Sequence, residues 1–228
     1  LAGAEEAGMK FAREIGANSL AALRAMPAEQ LLDQAAQKQP ALMLNLDGHF
    51  FTKSPSDVFA AGEQANVPLL AGSNSQEGSF EQLLEGKAPS VENYRATLET
   101  LYGERAEEVA ALYPASSEAQ VRQMGTELAS DRFLGYSTWK WIDLHGRSSD
   151  KPAFYYYYAQ PRPALRSDPN ASVPSGAVHS AEIEYAMGNL DSNEVFAWTQ
   201  DDRKVSQVMQ EYFANFIKTG DPNGANLP

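Results

Sequence analysis

The chain has 228 residues, a formal net charge of −12 and no cysteine. Its length allows a sizeable hydrophobic core, and its 43% apolar and 10% aromatic content is typical of a globular rather than a disordered protein. The acidic balance and the lack of a long apolar run argue against nucleic acid or a membrane as partner, and the lack of cysteine excludes disulfides and thiol catalysis.

The first part of the sequence predicts helices followed by a hairpin. Apolar residues recur at helical spacing in three segments, which glycine and proline separate. The predicted helices are Ala4–Ile15, Leu20–Met26 and Ala28–Gln37. Two short apolar runs, Ala41–Asn45 and Phe50–Thr52, then flank Asp47-Gly48, which favours a β-hairpin because both residue types tolerate positive φ.

The rest of the sequence predicts a sheet covered by helices. Val67–Ala71 is a short apolar run, and Ala153–Ala159 is dense in aromatic strand-formers. Ser117 and Gln120 have the spacing of a helix capping box. The predicted helices are Ser90–Leu101, Ser117–Ala129, Phe133–Leu144 and Val205–Ile217, with Gly220 ending the last. Strands separated by helices are typical of a parallel sheet, so the predicted fold class is α/β.

Two polar segments follow the predicted strands and carry a carboxylate and an imidazole. Gly72–Phe80 reads GSNSQEGSF and contains Glu77, and Gly176–Tyr185 reads GAVHSAEIEY and contains His179. An acyl-transfer triad needs a serine, an imidazole that carries its proton and a carboxylate that orients the imidazole. On the α/β-hydrolase scaffold they occur in the order serine, acid, histidine. Glu77 and His179 fit the last two places, whereas no G-x-S-x-G nucleophile motif occurs in the sequence.

These segments resemble those of the type-B carboxylesterases, the family that includes the cholinesterases. Gly72–Phe80 is similar to the family's G-x-N-x-x-E-G-S-F segment, and Gly176–Tyr185 to its G-x-x-H-x-x-E-I-x-Y segment. The likeness also covers the strand at Val67–Ala71 and the stretch Phe213–Asn223, which is similar to the family's last large helix. It therefore spans nearly the whole chain, with the segments in the family's order.

The resemblance implies a fold, an activity and a missing part. Residues 1–228 are expected to be the C-terminal portion of one α/β-hydrolase catalytic domain, truncated at both ends. In it Glu77 would orient His179, which would serve as general base and then general acid in hydrolysis of a small-molecule carboxylic ester. The nucleophilic serine and the oxyanion hole would come from the N-terminal half, before Leu1. The resemblance implies no cofactor, and the compartment stays open.

Other interpretations remain open at this point. Glu182, three residues after His179, is a second candidate for the carboxylate partner, although Glu182 and Glu184 are expected to be structural, one bonded to backbone or arginine and one solvated. A cholinesterase-like adhesion protein without catalysis is the alternative function, and an esterase of narrower substrate, such as a feruloyl or carbamate hydrolase, is a further one.

The remaining histidines and aromatic residues have simpler interpretations. His49 and His145 are expected at the surface, and no two histidines have the spacing of zinc ligands. Core packing is the expected role of two aromatic sets, although the first could form a sugar-binding platform and the second could line a substrate pocket. These sets are Tyr155–Tyr158, and Phe133, Tyr136, Trp139 and Trp141.

Overall fold

A computed structural model describes residues 1–38, 44–225 and 227 of the chain. The chain divides into two compact units, Leu1–Val58 and Phe59–Pro228. The first unit is helical, and the predicted helices are present with small shifts at their ends. Helices α1, α2 and α3 span Ala2–Glu14, Leu20–Ala25 and Ala28–Lys38. The Ser19 hydroxyl caps α2 by accepting a hydrogen bond from the Ala22 amide at 3.1 Å.

The hairpin predicted around Asp47-Gly48 is wrong in the part that the structure describes. Phe50–Thr52 forms no strand, and residues 41–43 of the other predicted strand lie outside the described residues. The Asp47 carboxylate accepts hydrogen bonds from the amides of three following residues, His49, Phe50 and Phe51. These bonds, led by that from His49, lower the pKa of Asp47. A side chain that accepts hydrogen bonds from neighbouring backbone amides stabilises a local turn rather than a pair of strands.

The two predicted strands are present and pair in parallel, which confirms the predicted α/β class. Strands β1 (Leu69–Asn74) and β2 (Ala153–Tyr158) run in register, with Leu69 opposite Ala153 and Asn74 opposite Tyr158. Strand β1 lies further along the chain than the predicted Val67–Ala71. Parallel pairing brings the carboxyl ends of both strands to one edge, where the following loops meet.

Helices fill the chain between the two strands, and a short helix, α4 (Pro55–Ala60), precedes β1. The helices predicted from Ser90 and Ser117 are present, whereas those at Pro55, Phe80 and Ala106 were not predicted. Between the strands lie α5 (Phe80–Leu83), α6 (Val91–Tyr102), α7 (Ala106–Leu112), α8 (Glu118–Ser130) and α9 (Tyr136–Ser148), with a 3₁₀ turn at Gly103–Arg105. The core among these helices includes Leu84, Tyr94, Leu98 and Val121.

Helices α8 and α9 are joined without a break by a π-helical turn, Asp131–Gly135. The sequence predicted two separate helices there. The predicted capping box of α8 is half present, because Ser117 caps the helix but Gln120 bonds to Ser116 instead. His145 lies inside α9 and is buried, so its expected surface position is wrong, whereas His49 is exposed.

The last helix packs the second core against β2. Helix α11 (Gln200–Thr219) ends at Gly220, whose φ of +79° is the left-handed conformation that glycine adopts readily. A short helix α10 (Ile183–Ala186) and a 3₁₀ turn, Leu190–Ser192, lie between β2 and α11. Buried residues from these elements form one cluster: Tyr158, Ala177, Ala181, Tyr185, Leu190 and Met209. This core therefore supports the segment that carries His179. None of the helices described has both the length and the apolar character needed to cross a membrane.

Asp202 ties α11 to this core. Its side chain completes a capping box with Thr199 and also accepts a hydrogen bond from the Tyr185 hydroxyl at 2.6 Å. Burial by itself raises the pKa of Asp202, but the hydrogen bonds from Thr199, Tyr185 and Gln160 outweigh burial, and the net pKa is lowered. The ionised carboxylate is thus the form that the folded protein stabilises.

Asp202→Asn is expected to destabilise the protein in a pH-dependent way. At neutral pH the loss should be about 1–3 kcal/mol, because the amide cannot accept all these bonds. A carboxyl whose folded pKa is lowered contributes its stability above the unfolded pKa of about 3.9 and loses it as pH falls through the folded value. The difference in melting temperature between wild type and variant should therefore shrink below about pH 4. A constant difference from pH 7 to pH 3 would contradict this account.

Candidate active site

The loops after β1 and β2 lie side by side at the carboxyl edge of the sheet. The ladder continues past the strands, since the Gln76 amide donates to the Ala177 carbonyl at 2.8 Å and a parallel bridge joins Gln76 to Val178. The Ala177 amide in turn donates to the Ser75 hydroxyl at 2.8 Å. Gly176 permits this approach, because a Cβ there would lie 2.5 Å from the Ser75 Oγ. These contacts place the residues that follow, Glu77 and His179, next to each other.

Glu77 and His179 form a direct hydrogen bond across the two loops. The distance from His179 Nδ1 to Glu77 Oε2 is 2.6 Å, although the residues are 102 positions apart. A carboxylate only accepts, so Nδ1 carries the proton, and in the neutral ring Nε2 is then an acceptor. The Glu77 side chain is 5% exposed and that of His179 is 53% exposed. A buried carboxylate thus orients an imidazole that solvent or a substrate can reach.

Further hydrogen bonds and close packing hold the Glu77 side chain and its loop in place. Its second oxygen, Oε1, accepts the Asn74 amide at 2.7 Å. The next residue, Gly78, donates its amide to the Ser130 hydroxyl at 3.1 Å, which attaches the loop to α8. A Cβ at Gly78 would lie 2.7 Å from the Ala129 carbonyl carbon, so the loop approaches this helix more closely than a larger residue allows. The position of Glu77 therefore depends on the packing of α8.

The His179 ring packs against Phe133, which lies in the π-helical turn. The two rings meet edge to face, with centroids 5.2 Å apart and planes at 69°. A π-turn shifts the side chains that follow it relative to a regular helix, and such turns are frequent at functional sites. The core role expected for the aromatic set to which Phe133 belongs is wrong in this structure, because all four members are exposed: Phe133, Tyr136, Trp139 and Trp141.

The tyrosines of β2 lie on alternate faces of the strand and differ in burial. Tyr158 is buried in the second core, and Tyr156 packs against Phe213 with ring centroids 5.5 Å apart. Tyr155 and Tyr157 are exposed on the opposite face. The expected core packing therefore holds for one face of the strand. On the other face an open cleft of about 1320 Å³ lies against Tyr155, Tyr157 and the Glu77 loop.

Glu182 and Glu184 are both bonded within the protein, so the expectation that one is solvated is wrong. Glu182 accepts a hydrogen bond from the Asn74 side-chain amide. Glu184 accepts from Arg162 at 2.8 Å and from Asn193 at 2.7 Å. Burial raises the pKa of Glu184, but these two hydrogen bonds outweigh burial and lower it overall. The carboxylate on Nδ1 of the histidine is that of Glu77.

Ser180, directly after His179, has an unusual backbone conformation. Its φ of +64° lies in the left-handed region, which costs a residue other than glycine about 1–2 kcal/mol. The Arg162 guanidinium donates to the Ser180 carbonyl at 2.9 Å. The sequence motifs had not pointed to Arg162, because it lies outside both matched segments.

Across the described ranges no group of three or more His, Asp or Glu side chains is arranged to hold a metal ion.

Comparison with known proteins identifies the family. The model of the carboxylesterase family matches residues 3–228. The chain belongs to the carboxylesterase family. Carboxylesterase 5A of Canis lupus familiaris is 28% identical over 92% of this chain and 38% of its own length. The para-nitrobenzyl esterase of Bacillus subtilis is 28% identical over 93% of this chain and 44% of its own length.

The fold of this member of the carboxylesterase family also agrees with a solved structure. A thermophilic PNB esterase superimposes with a TM-score of 0.68 at 24% identity, over 98% of this chain and 46% of that protein. The resemblance to carboxylesterases and the expected α/β-hydrolase fold are thus confirmed. The chain spans about two fifths of the length of the curated relatives described above.

Proposed function

We propose that this chain contributes the acid and the base of a serine carboxylesterase. The observation that carries the proposal is the 2.6 Å hydrogen bond between Glu77 and His179. The two side chains are far apart in sequence, and each lies in a loop at the carboxyl edge of a parallel sheet, where catalytic groups collect in α/β folds. Membership of the carboxylesterase family supports ester hydrolysis as the reaction.

In the proposed reaction, His179 accepts a proton and returns it twice, once in each half of the reaction. Nε2 accepts the proton of a serine hydroxyl while the serine oxygen bonds to the ester carbonyl carbon. The resulting tetrahedral oxyanion collapses, Nε2 returns the proton to the leaving oxygen, and the alcohol departs from an acyl-enzyme. A water molecule then loses its proton to Nε2 and attacks the acyl carbon, and the serine oxygen leaves with that proton. Glu77 stabilises the imidazolium at both stages, and the scheme uses no cofactor.

The nucleophile of this scheme is proposed to come from an N-terminal half of the same enzyme. Two serines beside the site already have hydrogen-bond partners: Ser73 bonds to the Tyr155 hydroxyl at 2.6 Å, and Ser75 accepts from the Ala177 amide. Tyr155 and Tyr157 also leave one face of β2 open, and an apolar face of this kind normally packs against further structure. An N-terminal half would cover this face and supply both serine and oxyanion hole.

Hydrolysis of p-nitrophenyl acetate tests the proposed function. The full-length protein should release p-nitrophenol with an initial burst as the acyl-enzyme accumulates, whereas residues 1–228 alone should release none. Hydrolysis by residues 1–228 that His179→Ala abolishes would instead place the nucleophile within this chain. A full-length protein that folds cooperatively but hydrolyses no aryl ester would favour the alternative of a non-catalytic binding or adhesion protein.

A further inference from the structure

The backbone on both sides of His179 is held by side chains from other parts of the fold. The Val178 carbonyl accepts a hydrogen bond from the Asn74 side-chain amide at 2.9 Å. The Ser180 carbonyl accepts one from the Arg162 guanidinium, also at 2.9 Å. The carbonyls of the residues before and after the histidine are therefore held independently, one from the end of β1 and one from the segment after β2.

Asn74 connects the acid and the base of the site. It is 3% exposed, and its backbone amide donates to the Glu77 carboxylate at 2.7 Å. Its side-chain amide reaches the other loop, where it bonds both Val178 and Glu182. Only the NH₂ group of the side chain satisfies two acceptors at once, so the orientation of the Asn74 amide follows from its partners. One residue thus sets the position of Glu77 and of the histidine loop together.

Arg162 is itself held rigidly, so it can hold another group. Its side chain is 19% exposed, pairs with Glu184 at 2.8 Å and lies 5.3 Å from the centre of the Phe196 ring. A planar guanidinium with several fixed donors bonds a carboxylate and a carbonyl at the same time, which a flexible ammonium does less well. The carbonyl it holds belongs to Ser180, whose left-handed backbone would relax if it were released.

We propose that Asn74 and Arg162 are positioning residues that hold the His179 imidazole in line with the nucleophile. This inference rests on the proposed function, because it assigns a role in the same catalytic site. Neither residue touches the reacting atoms. Each acts through the backbone carbonyl of a residue next to the histidine in sequence, Val178 or Ser180, so their loss lowers the fraction of time in which Nε2 is aligned. The chemical step should suffer, whereas ester binding should not.

The first test replaces Arg162 by methionine in the full-length protein. The variant keeps much of the side-chain length but removes every donor, so kcat should fall on the order of 10²-fold while KM changes little. Arg162→Lys keeps the positive charge beside Glu184 and should show an intermediate kcat, even if the methionine variant folds poorly. Arg203→Met is the matched control, because Arg203 also pairs with a carboxylate, Asp191, but at an exposed position. Its kcat should equal that of wild type.

The second test separates holding the loop from general stability. Asn74→Asp removes the donor and places a carboxylate against Glu182, so it should lower both the melting temperature and kcat. Adding Glu182→Gln reverses the polarity of this contact and should restore the melting temperature. It does not give the Val178 carbonyl a donor, so kcat should stay low. Recovery of kcat together with the melting temperature would show a purely structural role and overturn the proposal for Asn74.

Active-site titration with a phosphonate ester gives kcat per reactive site, so unfolded molecules do not count. If Arg162→Met and Arg162→Lys both keep the wild-type kcat per site, or change KM alone, the proposal for Arg162 is overturned. These outcomes differ from failure of the proposed function itself. In that case the wild-type protein would show no ester hydrolysis, or His179→Ala would leave hydrolysis intact.

Discussion

His179→Ala in the full-length protein is expected to lower kcat by roughly five to six orders of magnitude. In the proposed reaction, the variant leaves the serine without an acceptor for its proton and the leaving alkoxide without a donor, so both halves of the reaction should be affected. Because the His179 side chain is half exposed, its removal should have little effect on the melting temperature. The measurement is kcat for an aryl ester, with thermal unfolding recorded on the same preparations.

His49→Ala provides a matched control for this variant. His49 is exposed in the Asp47 turn, where its backbone amide rather than its ring makes the described hydrogen bond. Its replacement should leave kcat and the melting temperature unchanged. A His179→Ala protein that retains a tenth or more of the wild-type kcat would contradict the role proposed for the imidazole.

Glu77→Gln is expected to lower kcat on the order of 10⁴-fold, equivalent to about 5.5 kcal/mol in the activation barrier. Glutamine keeps the volume of the side chain and can still accept the Asn74 amide. It removes the negative charge, however, and its NH₂ group can donate to Nδ1. The imidazole then favours the tautomer with its proton on Nε2, which cannot accept a proton from serine, and the imidazolium loses its stabilising partner.

Glu182→Gln is the matched comparison, since it makes the same chemical change in the same region. The side-chain carbonyl of the introduced glutamine can still accept from Asn74, so kcat should fall by at most about tenfold, the effect of weakening one hydrogen bond. Near-normal turnover in Glu77→Gln, together with a collapse of turnover in Glu182→Gln, would mean that the wrong carboxylate has been assigned.

Patterns in the sequence located the strands well but not always their ends. Apolar content predicted Val67–Ala71, whereas β1 continues to Asn74 and begins at Leu69. Of the three added residues, Ser73 and Asn74 are polar, but both are buried with hydrogen-bond partners for their side chains. Where a strand leads into a functional site, the polar residues at its end serve that site. A pattern of hydrophobic residues does not predict them.

Two further differences concern the local pattern of backbone hydrogen bonds. The Asp47 carboxylate accepts hydrogen bonds from three backbone amides, so a turn forms instead of the hairpin that the Asp-Gly pair favours. Between α8 and α9 the sequence predicted a break, but the backbone continues through the π-turn at Asp131–Gly135. Neither glycine nor proline marks the start of this turn, and a π-turn leaves no periodic signal of its own.

The pairing of Glu77 with His179 was predicted from the resemblance of their two segments to carboxylesterase motifs, and parallel strands bring the loops that follow them together. The expected hydrogen bond between them is present at 2.6 Å. Arg162 could not be predicted in the same way. Arg162 donates hydrogen bonds to the Ser180 carbonyl and to Glu184 at the same time. This geometry depends on the path of the chain after β2 rather than on local sequence spacing.

A structure of the full-length protein after reaction with a phosphonate ester tests the central claim most directly. The phosphonylated residue should be a serine outside residues 1–228, with its Oγ about 3 Å from His179 Nε2, while Glu77 still accepts from Nδ1. Modification of a residue more than about 6 Å from Nε2, or another carboxylate bonded to Nδ1, would contradict the assignment of Glu77 and His179 as the acid and base of the site.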